Sequence, residues 1–455
     1  MGYKVGMCGL GFFGQGFLPL FKAHPLCDEV LIAELRDDVR ARVAKEHGIQ
    51  RAFGTFEELL ESDADAVAIF TQRWTHAPLA IRALKAGKHV YSTVPAGVTI
   101  EDLDELVKTV EETGLTYALG ETSYYNPETI YCRKRFAKGD FGRFVYGEGQ
   151  YCHNMSSWFY RPFFDANGRD WKRYASVPPM WYTSHSIAHV LGVTFSRFTK
   201  AGCFGFVDGE SVDGLFDPEL SAFDNPWSNQ TALFRTADGG MARINEFRRT
   251  GAGHSSQTIM GTQAAYYEQP NPRHGHTTVA QEIEGREAEG EKDTAACSAV
   301  WTQSAWKESP CDADGNFDFA KAEFAYTNLK EDLTHIHRLD GIEITPANRG
   351  RLPAELIGRR HLGVSCEHPV ERLPASYVGM PNGHRGSHQF LVQDFFEAMD
   401  TGKLPPNHVW LGARYIAPGI IAHESCKREG ELLPIPDFGK PPADMDCIDP
   451  LVRLG

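Results

Sequence analysis

Over roughly the first 120 residues, short apolar runs alternate with longer segments whose apolar residues recur every three or four positions. Tyr3 to Cys8 is short enough for a buried strand, and a helical period follows through Phe17, Leu20 and Phe21. Val30 to Ala33 is a second apolar run, and Thr55 with Glu58 forms a capping box ahead of a helix. Ala66 to Phe70 predicts a fully buried strand, His76 to Ala86 a helix closed by Gly87, and His89 to Ser92 another strand. Thr99 caps a helix that ends near Gly114, and Thr116 to Leu119 returns to strand. Strands and helices in strict alternation predict a doubly wound parallel sheet, an α/β Rossmann domain over residues 1–122.

The pattern changes in residues 123–455. A helix from Pro127 to Lys138 stops at Gly139, and Arg143 to His153 alternates with period two. That strand puts Gly147, Gly149, Tyr151 and His153 on one face, which suggests close approach by a ligand; ordinary half-buried sheet residues are the other reading. Asn154 to Pro179 is rich in aromatic and basic residues without periodicity, so it reads as a loop over a ligand site or as a packed surface loop. A helix from about Tyr182 to Phe195 would place Tyr182, His185 and His189 on one side. Ala232 to Thr236 and Met241 to Phe247 flank Asp238-Gly239-Gly240 as a hairpin. Glu282 to Asp293 is almost wholly charged and predicts a solvated insertion, and His388 to Met399, ended by Gly402, is a helix packing back on the body. The second domain is therefore expected to be α+β, with a large, mostly antiparallel open sheet.

The chain has 455 residues, 42% hydrophobic and 23% charged, as a folded protein of two domains requires. Its formal net charge of −14, without a basic run, argues against a nucleic-acid or anionic-membrane partner. Ten scattered cysteines without a CxxC argue against a disulfide framework or zinc ribbon. A strand from Tyr3 leaves no room for a signal peptide, and no apolar stretch has bilayer length, so a cytoplasmic protein is expected. His185-x-x-x-His189 has zinc spacing but lacks a recognisable third ligand, so no metal is assigned.

The first strand ends in Gly9-Leu10-Gly11-Phe12-Phe13-Gly14, and Glu34 ends the second strand twenty positions past Gly14. GxGxxG alone is weak; between a strand and a helix, with an acid at that distance, it points to a dinucleotide. The glycines let backbone approach the pyrophosphate at the helix N-terminus. A Glu34 carboxylate would accept from ribose hydroxyls and repel a 2′-phosphate, which selects NAD; Arg36 beside it is the counter-signal.

Thr71-Gln72-Arg73-Trp74-Thr75-His76 and Ala83-Leu84-Lys85-Ala86-Gly87-Lys88-His89-Val90 resemble the Gfo/Idh/MocA oxidoreductase family, a likeness that resumes from Gln389 to Phe438. The resemblance adds Thr71, His76 and Thr93 to the cofactor-binding set of Gly9, Gly11, Phe12, Phe13, Gly14, Glu34 and Arg36. Members commonly carry Glu-Lys-Pro after the His-Val strand, with the lysine on the hydroxyl being oxidised. Here the chain reads Thr93-Val94-Pro95-Ala96. A branch without that lysine, the NAD-dependent glycosidases, is similar at Glu121-Thr122-Ser123-Tyr124-Tyr125, at Gly149 to His153, at Tyr182 to Ser186 and at Gly383-His384-Arg385-Gly386.

That likeness implies a redox-neutral glycosidase acting on a small-molecule glycoside. C3 is oxidised transiently, the C2 proton is lost, the C1 substituent is eliminated, water adds, and C3 is reduced. His185 is expected as base at the hydroxyl, Tyr151 at C2, and Glu121 at the leaving group or water. His153, Tyr182, His384 and Arg385 are expected sugar contacts. Arg161, Lys172 and Arg173 would favour an anionic sugar such as a sulfoquinovoside, solvated charges being the plainer reading. A sugar dehydrogenase with net hydride transfer and a non-catalytic NAD-binding regulator are the competing readings. The resemblance also implies a homo-oligomer, dimer or tetramer, formed through the sheet.

Overall fold

The computed structural model describes residues 2–153, 157–208, 214–250, 254–268, 297–306, 314, 316 and 324–454. Six parallel strands make the first sheet: β1 (Tyr3–Cys8), β2 (Cys27–Ala33), β3 (Ala52–Phe53), β4 (Ala66–Ile69), β5 (His89–Ser92) and β6 (Tyr117–Leu119). Their order is β3-β2-β1-β4-β5-β6, so the strand order reverses between β1 and β4. A crevice outside the strand ends at such a reversal is where ligands of open α/β sheets bind. The crossovers carry α1 (Phe12–Ala23), α2 (Asp37–His47), α3 (Phe56–Leu60), α4 (His76–Lys85) and α5 (Ile100–Thr113). Thr55 and Glu58 form the expected reciprocal cap, Thr99 accepts from the Asp102 amide, and Gly114 closes α5 in the left-handed region.

Beyond α6 (Pro127–Ala137) the strand β7 (Phe144–Cys152) enters a second sheet. Between β7 and the next strand lie α7 (Ser157–Asn167), α8 (Trp171–Ala175) and α9 (Ser184–Thr194). The remaining strands are β8 (Phe198–Val207), β9 (Trp227–Thr236), β10 (Met241–Phe247), β11 (His254–Gly261), β12 (Ala264–Glu268), β13 (Cys297–Trp306) and β14 (Phe324–Asp332). With the two-residue strand Leu433–Pro434 at one edge, nine strands are present among the described residues. Among the described residues, β7 and β10 are the one parallel pair of this sheet and its other pairings are antiparallel. The expected hairpin is β9–β10, with Gly239 in the left-handed region at its turn.

Two expectations change. The aromatic stretch 154–179 is helical from Ser157, as α7 and α8, because Tyr160, Phe163 and Ala175 turn inward to a small core with Leu215 and Phe216. The helix expected from Tyr182 begins at Ser184, after a 3-10 turn over Pro179–Tyr182. The run Glu282 to Asp293 lies outside the described residues.

After β14 the chain returns to the first domain. Helix α10 (His388–Thr401), ended by a left-handed Gly402, sets Phe395 and Phe396 against Phe21, with ring centroids 6.3 and 5.9 Å apart. Helix α11 (Val409–Lys427) follows, buried around nearly its whole circumference. Asn407, just before α11, accepts from the Leu119 amide at 2.8 Å and donates to the Glu121 carbonyl at 3.2 Å. A single apolar core thus runs through both domains.

Candidate active site

The glycine loop starts with Gly9 at φ +88° and leads into α1 at Gly11, whose cap position makes no side-chain hydrogen bond. A Cβ on Gly14 would stand 2.4 Å from the Gly9 carbonyl oxygen, whereas one on Gly11 would meet nothing within 4 Å. The loop is closed on its inner side and open on its outer side, over helix amides without intrahelical acceptors, as a pyrophosphate requires. Glu34, at the end of β2, accepts from the Leu10 amide at 2.8 Å and from the Arg36 amide at 3.1 Å, with the Arg36 Nε at 3.2 Å. A carboxylate offers about four acceptor positions, so it can still take a ribose hydroxyl. These residues fit NAD.

His76 is a brace. Its Nδ1 lies 2.9 Å from the Pro95 carbonyl and its Nε2 3.1 Å from that of Thr71, joining the loops after β4 and β5. Burial holds its pKa below the ordinary value, so the ring is neutral and donates to only one of the two. Thr93 Oγ1 donates to the Ile69 carbonyl at 3.1 Å in the same junction. The Thr71 hydroxyl pairs with that of Thr75 at 2.6 Å.

The three expected catalytic side chains come together where the first domain meets the second. Glu121, just beyond β6, is fully buried, and its Oε1 accepts from the Ser123 amide at 2.7 Å. The same oxygen lies 2.7 Å from Nδ1 of His185, on the first turn of α9. The imidazole ring is 5.0 Å from that of Tyr151, on β7, and 5.2 Å edge-on from Tyr182. Tyr182 and His153 stand 6.0 and 5.4 Å from the Tyr151 ring, so both expected sugar contacts belong to this cluster. His189, one turn on, is held by Gln257 and Ser255 at 3.0 and 3.2 Å, a structural role.

What brings His185 this close is the pair of glycines on β7. A Cβ on Gly149 would stand 1.8 Å from the Ser186 carbonyl oxygen, and one on Gly147 would meet Val190 at 2.9 Å. The partner that approaches this strand face is therefore α9, where a ligand was expected.

Three residues of the cluster were not singled out beforehand. Arg248, at the end of β10, is buried with its guanidinium 5.3 Å from the Tyr151 ring and 5.8 Å from that of Tyr182. Its Nη2 pairs at 2.7 Å with Glu246, whose other oxygen accepts from the Ser186 hydroxyl. Arg73, after β4, stacks over Tyr182 at 4.3 Å and faces Phe163 at 5.4 Å. Arg73 lay within the family-like segment; two-residue alternation puts Glu246 and Arg248 on one side of the chain, but nothing in that spacing singles them out.

Burial and the neighbouring Tyr182 phenol raise the pKa of Tyr151, against the opposing pull of Arg248 and Arg73, so the phenol keeps its proton at neutral pH. Burial pushes the Glu246 carboxyl up to about 7, against the opposing pull of Arg248, Ser186 and His185. Arg73 is held below its ordinary value by burial and by the second guanidinium.

Two expected contacts sit elsewhere. His384 and Arg385 both adopt left-handed backbone, at φ +44° and +56°. That turn sends His384 edge-on against Phe13 of the glycine loop, at 5.3 Å, and to His388 at 2.7 Å, on the cofactor side. Arg385 is committed to Glu128 at 3.0 Å and Glu268 at 3.8 Å, because those buried carboxylates need a cation more than a sugar hydroxyl does. Nor do the basic residues of α7 and α8 reach the cluster: Arg161 pairs with Asp165 at the surface, and Lys172 and Arg173 are exposed.

The glycine loop and Glu34 form a site that fits a dinucleotide, and residues 3–121 match the family model of the Gfo/Idh/MocA oxidoreductase family, NAD-binding Rossmann fold. Among curated relatives, the chain is 28% identical over 220 residues to 4-carboxy-2-hydroxymuconate-6-semialdehyde dehydrogenase of Sphingobium sp. (strain NBRC 103272 / SYK-6), covering 48% of this chain and 64% of that one. It is 24% identical over 293 residues to a glycosyl hydrolase family 109 protein of Shewanella amazonensis, covering 59% and 64%. A second family 109 protein, from Saccharopolyspora erythraea, is 31% identical over 162 residues, covering 33% and 35%. The chain thus spans less than two thirds of these relatives. Levoglucosan dehydrogenase in complex with NADH has the same fold, with a TM-score of 0.62 at 15% identity over 96% of this chain and 100% of that chain.

Proposed function

We propose that the chain is an NAD-dependent glycoside hydrolase that oxidises and re-reduces C3 of its sugar within one turnover. The observation that carries this reading is the Glu121–His185–Tyr151 cluster, its first two members buried and the tyrosine half-buried, in a chain that has Val94 where the family-like pattern after β5 has lysine. NAD, when bound, supplies reversible hydride transfer at C3. Glu121 lies behind the imidazole at Nδ1, which leaves Nε2 of His185 to take the C3 hydroxyl proton and later return it. In this arrangement Glu121 orients His185; the leaving-group role passes to Tyr151.

The Tyr151 phenol is protonated at rest, so it gives its proton to the departing C1 oxygen and takes one from C2. One proton moves from C2 to the aglycone, the C1–O bond breaks, and the phenol ends as it began. Arg248 beside the ring stabilises the transient phenolate. Water then adds at C1, with the proton movements reversed.

The second reading, a sugar dehydrogenase, rests on the same Glu121–His185 pair, which is sufficient for hydroxyl oxidation alone. A panel of chromogenic aryl glycosides with catalytic NAD⁺ separates the two. Aglycone release without accumulating NADH supports the hydrolase; NADH in step with substrate consumed supports the dehydrogenase and overturns the proposal. Neither product, with cofactor bound, points to a regulator.

The open face of the second sheet exposes Phe204, Phe206, Leu233 and Met241, and we assign it as the contact between copies in a homo-oligomer. Among the described residues no helix is long and apolar enough to cross a membrane.

A further inference from the structure

We infer that Arg133 and Asp449 are positioning residues that set the distance between Glu121 and His185. The inference rests on the acid–base reading of that pair. Glu121 heads a 3-10 turn over Thr122–Tyr125 and His185 lies on the first turn of α9, so the two belong to separate elements. Arg133, on α6, is buried and reaches both. Its Nη1 donates to the Tyr124 carbonyl and to the Gly192 carbonyl, each at 3.1 Å. The first carbonyl belongs to the turn that Glu121 begins, and the second lies on α9, about two turns beyond His185. One planar guanidinium thus ties the segment of the carboxylate to the helix of the imidazole.

A guanidinium taken out of water needs a counter-charge. Asp449 supplies it from the chain beyond α11: its Oδ2 lies 3.9 Å from the Arg133 Nε and accepts from the Tyr124 hydroxyl at 2.6 Å. Burial holds that phenol well above its ordinary pKa, so it is the donor. The guanidinium sits 3.8 Å over the Tyr124 ring, which fixes its plane between the two carbonyls. Asp449 is anchored in turn. The Leu404 amide donates to the Asp446 carbonyl and the Ile448 amide to the Leu404 carbonyl, both at 2.9 Å. Leu404 stands just ahead of Asn407, the residue that donates to the Glu121 carbonyl.

The neighbouring tyrosine shows what an ordinary structural clamp looks like. Tyr125 donates to Asp394 at 2.6 Å and accepts from Arg372 at 3.1 Å, and Arg372 pairs with Asp394 at 2.6 Å. Those bonds run to α10 and its approach and leave α9 untouched. Only the Arg133 bonds span from the Glu121 turn to the His185 helix in these two clamps. Loosening Asp449 therefore releases the guanidinium and lets the turn and the helix part.

The test uses the full chain loaded with NADH. A His185 Nδ1 proton held against a buried carboxylate resonates far downfield in a proton NMR spectrum, and its loss in His185→Gln assigns it. Asp449→Asn keeps the shape and removes the charge. We expect that resonance to move upfield or broaden away, and kcat on the best aryl glycoside to fall about tenfold with KM within about twofold. Urea unfolding of the same variant reads stability separately. A resonance that stays in place overturns the inference, even with a lowered unfolding midpoint, because the ion pair would then only hold the fold together. A moved resonance with unchanged kcat overturns it as well. Should Asp449→Asn fail to fold, Tyr124→Phe, which removes only the hydroxyl that Asp449 accepts from, decides by the same resonance. Where the wild type releases no aglycone the hydrolase reading fails, while the resonance, which needs no turnover, still decides whether Asp449 positions the pair.

Discussion

Replacing Gly149 by alanine adds one methyl group where β7 meets α9, and its consequence can be worked from the geometry. The new Cβ would stand 1.8 Å from the Ser186 carbonyl oxygen. A carbon–oxygen contact relaxes at about 3.3 Å, so strand and helix must part by roughly 1.5 Å. Backbone on both sides leaves no side chain to swing away. Overpacking of this kind costs about 3 kcal/mol, toward the upper end for one added methyl. Ser186 follows His185 directly, so the imidazole retreats from Glu121 and Tyr151 with the helix. A misplacement of about 1 Å reduces turnover on the order of a hundredfold.

The assay pairs urea unfolding with turnover on the best aryl glycoside. Gly147→Ala is the control, because its Cβ meets the methyl ends of the Val190 side chain at 2.9 and 3.0 Å, a milder clash than one with backbone at 1.8 Å. We expect Gly149→Ala to lower the unfolding midpoint markedly and to lose activity about a hundredfold, with Gly147→Ala losing under about tenfold. An alanine variant at 149 with wild-type midpoint and turnover would refute the claim that α9 rests on this glycine.

Glu121→Gln keeps the shape and removes the charge behind His185, so kcat should fall about 10–100-fold, the worth of one charge-assisted hydrogen bond. Unchanged kcat, with NADH affinity intact, would retire the orienting role. Glu246 has a folded pKa of about 7 against an ordinary 4.5. Between those values the folded chain holds a proton that the unfolded chain has released, so stability falls as pH rises. The span is worth about 3 kcal/mol, and Glu246→Gln should lack that decline when both proteins are unfolded in urea at about pH 5 and pH 7.5. Parallel pH profiles would count against it. Glu34→Ala should weaken NADH binding by about 10–100-fold in a fluorescence titration, from lost ribose contacts and a loosened Leu10 amide; an unaltered Kd would remove Glu34 from the cofactor site.

The first domain is legible because its strands are buried on both faces and its helices carry local stop signals, from the Thr55 and Thr99 caps to Gly114. Helix α11 gave no such signal: packed all round, with Gly412, Pro418 and Gly419 inside it, it has no polar stripe to set a period. The meaning of Gly149 was inverted for a related reason. A missing side chain announces close approach, but sequence cannot say whether helix or ligand arrives. Glu121, Tyr151 and His185 were found through resemblance, and spacing alone would not have joined residues from a loop, a strand and a helix. Arg248 and Glu246 were missed because an alternating charged pair at a strand end reads as solvent-facing until the opposite wall is known.

The way Asn407 grips both Leu119 and Glu121 bears on how such enzymes could be recombined. A chimera made with one crossover after residue 122 would pair a foreign α11 segment with this chain's β6, and the clasp on the acid behind His185 would depend on a chance match. Two crossovers, carrying the stretch from about residue 388 to residue 427 along with the nucleotide half, would transplant the clasp intact. In this architecture the exchangeable unit is discontinuous in sequence, and a cut at the apparent boundary separates Asn407 from the two backbone groups it holds.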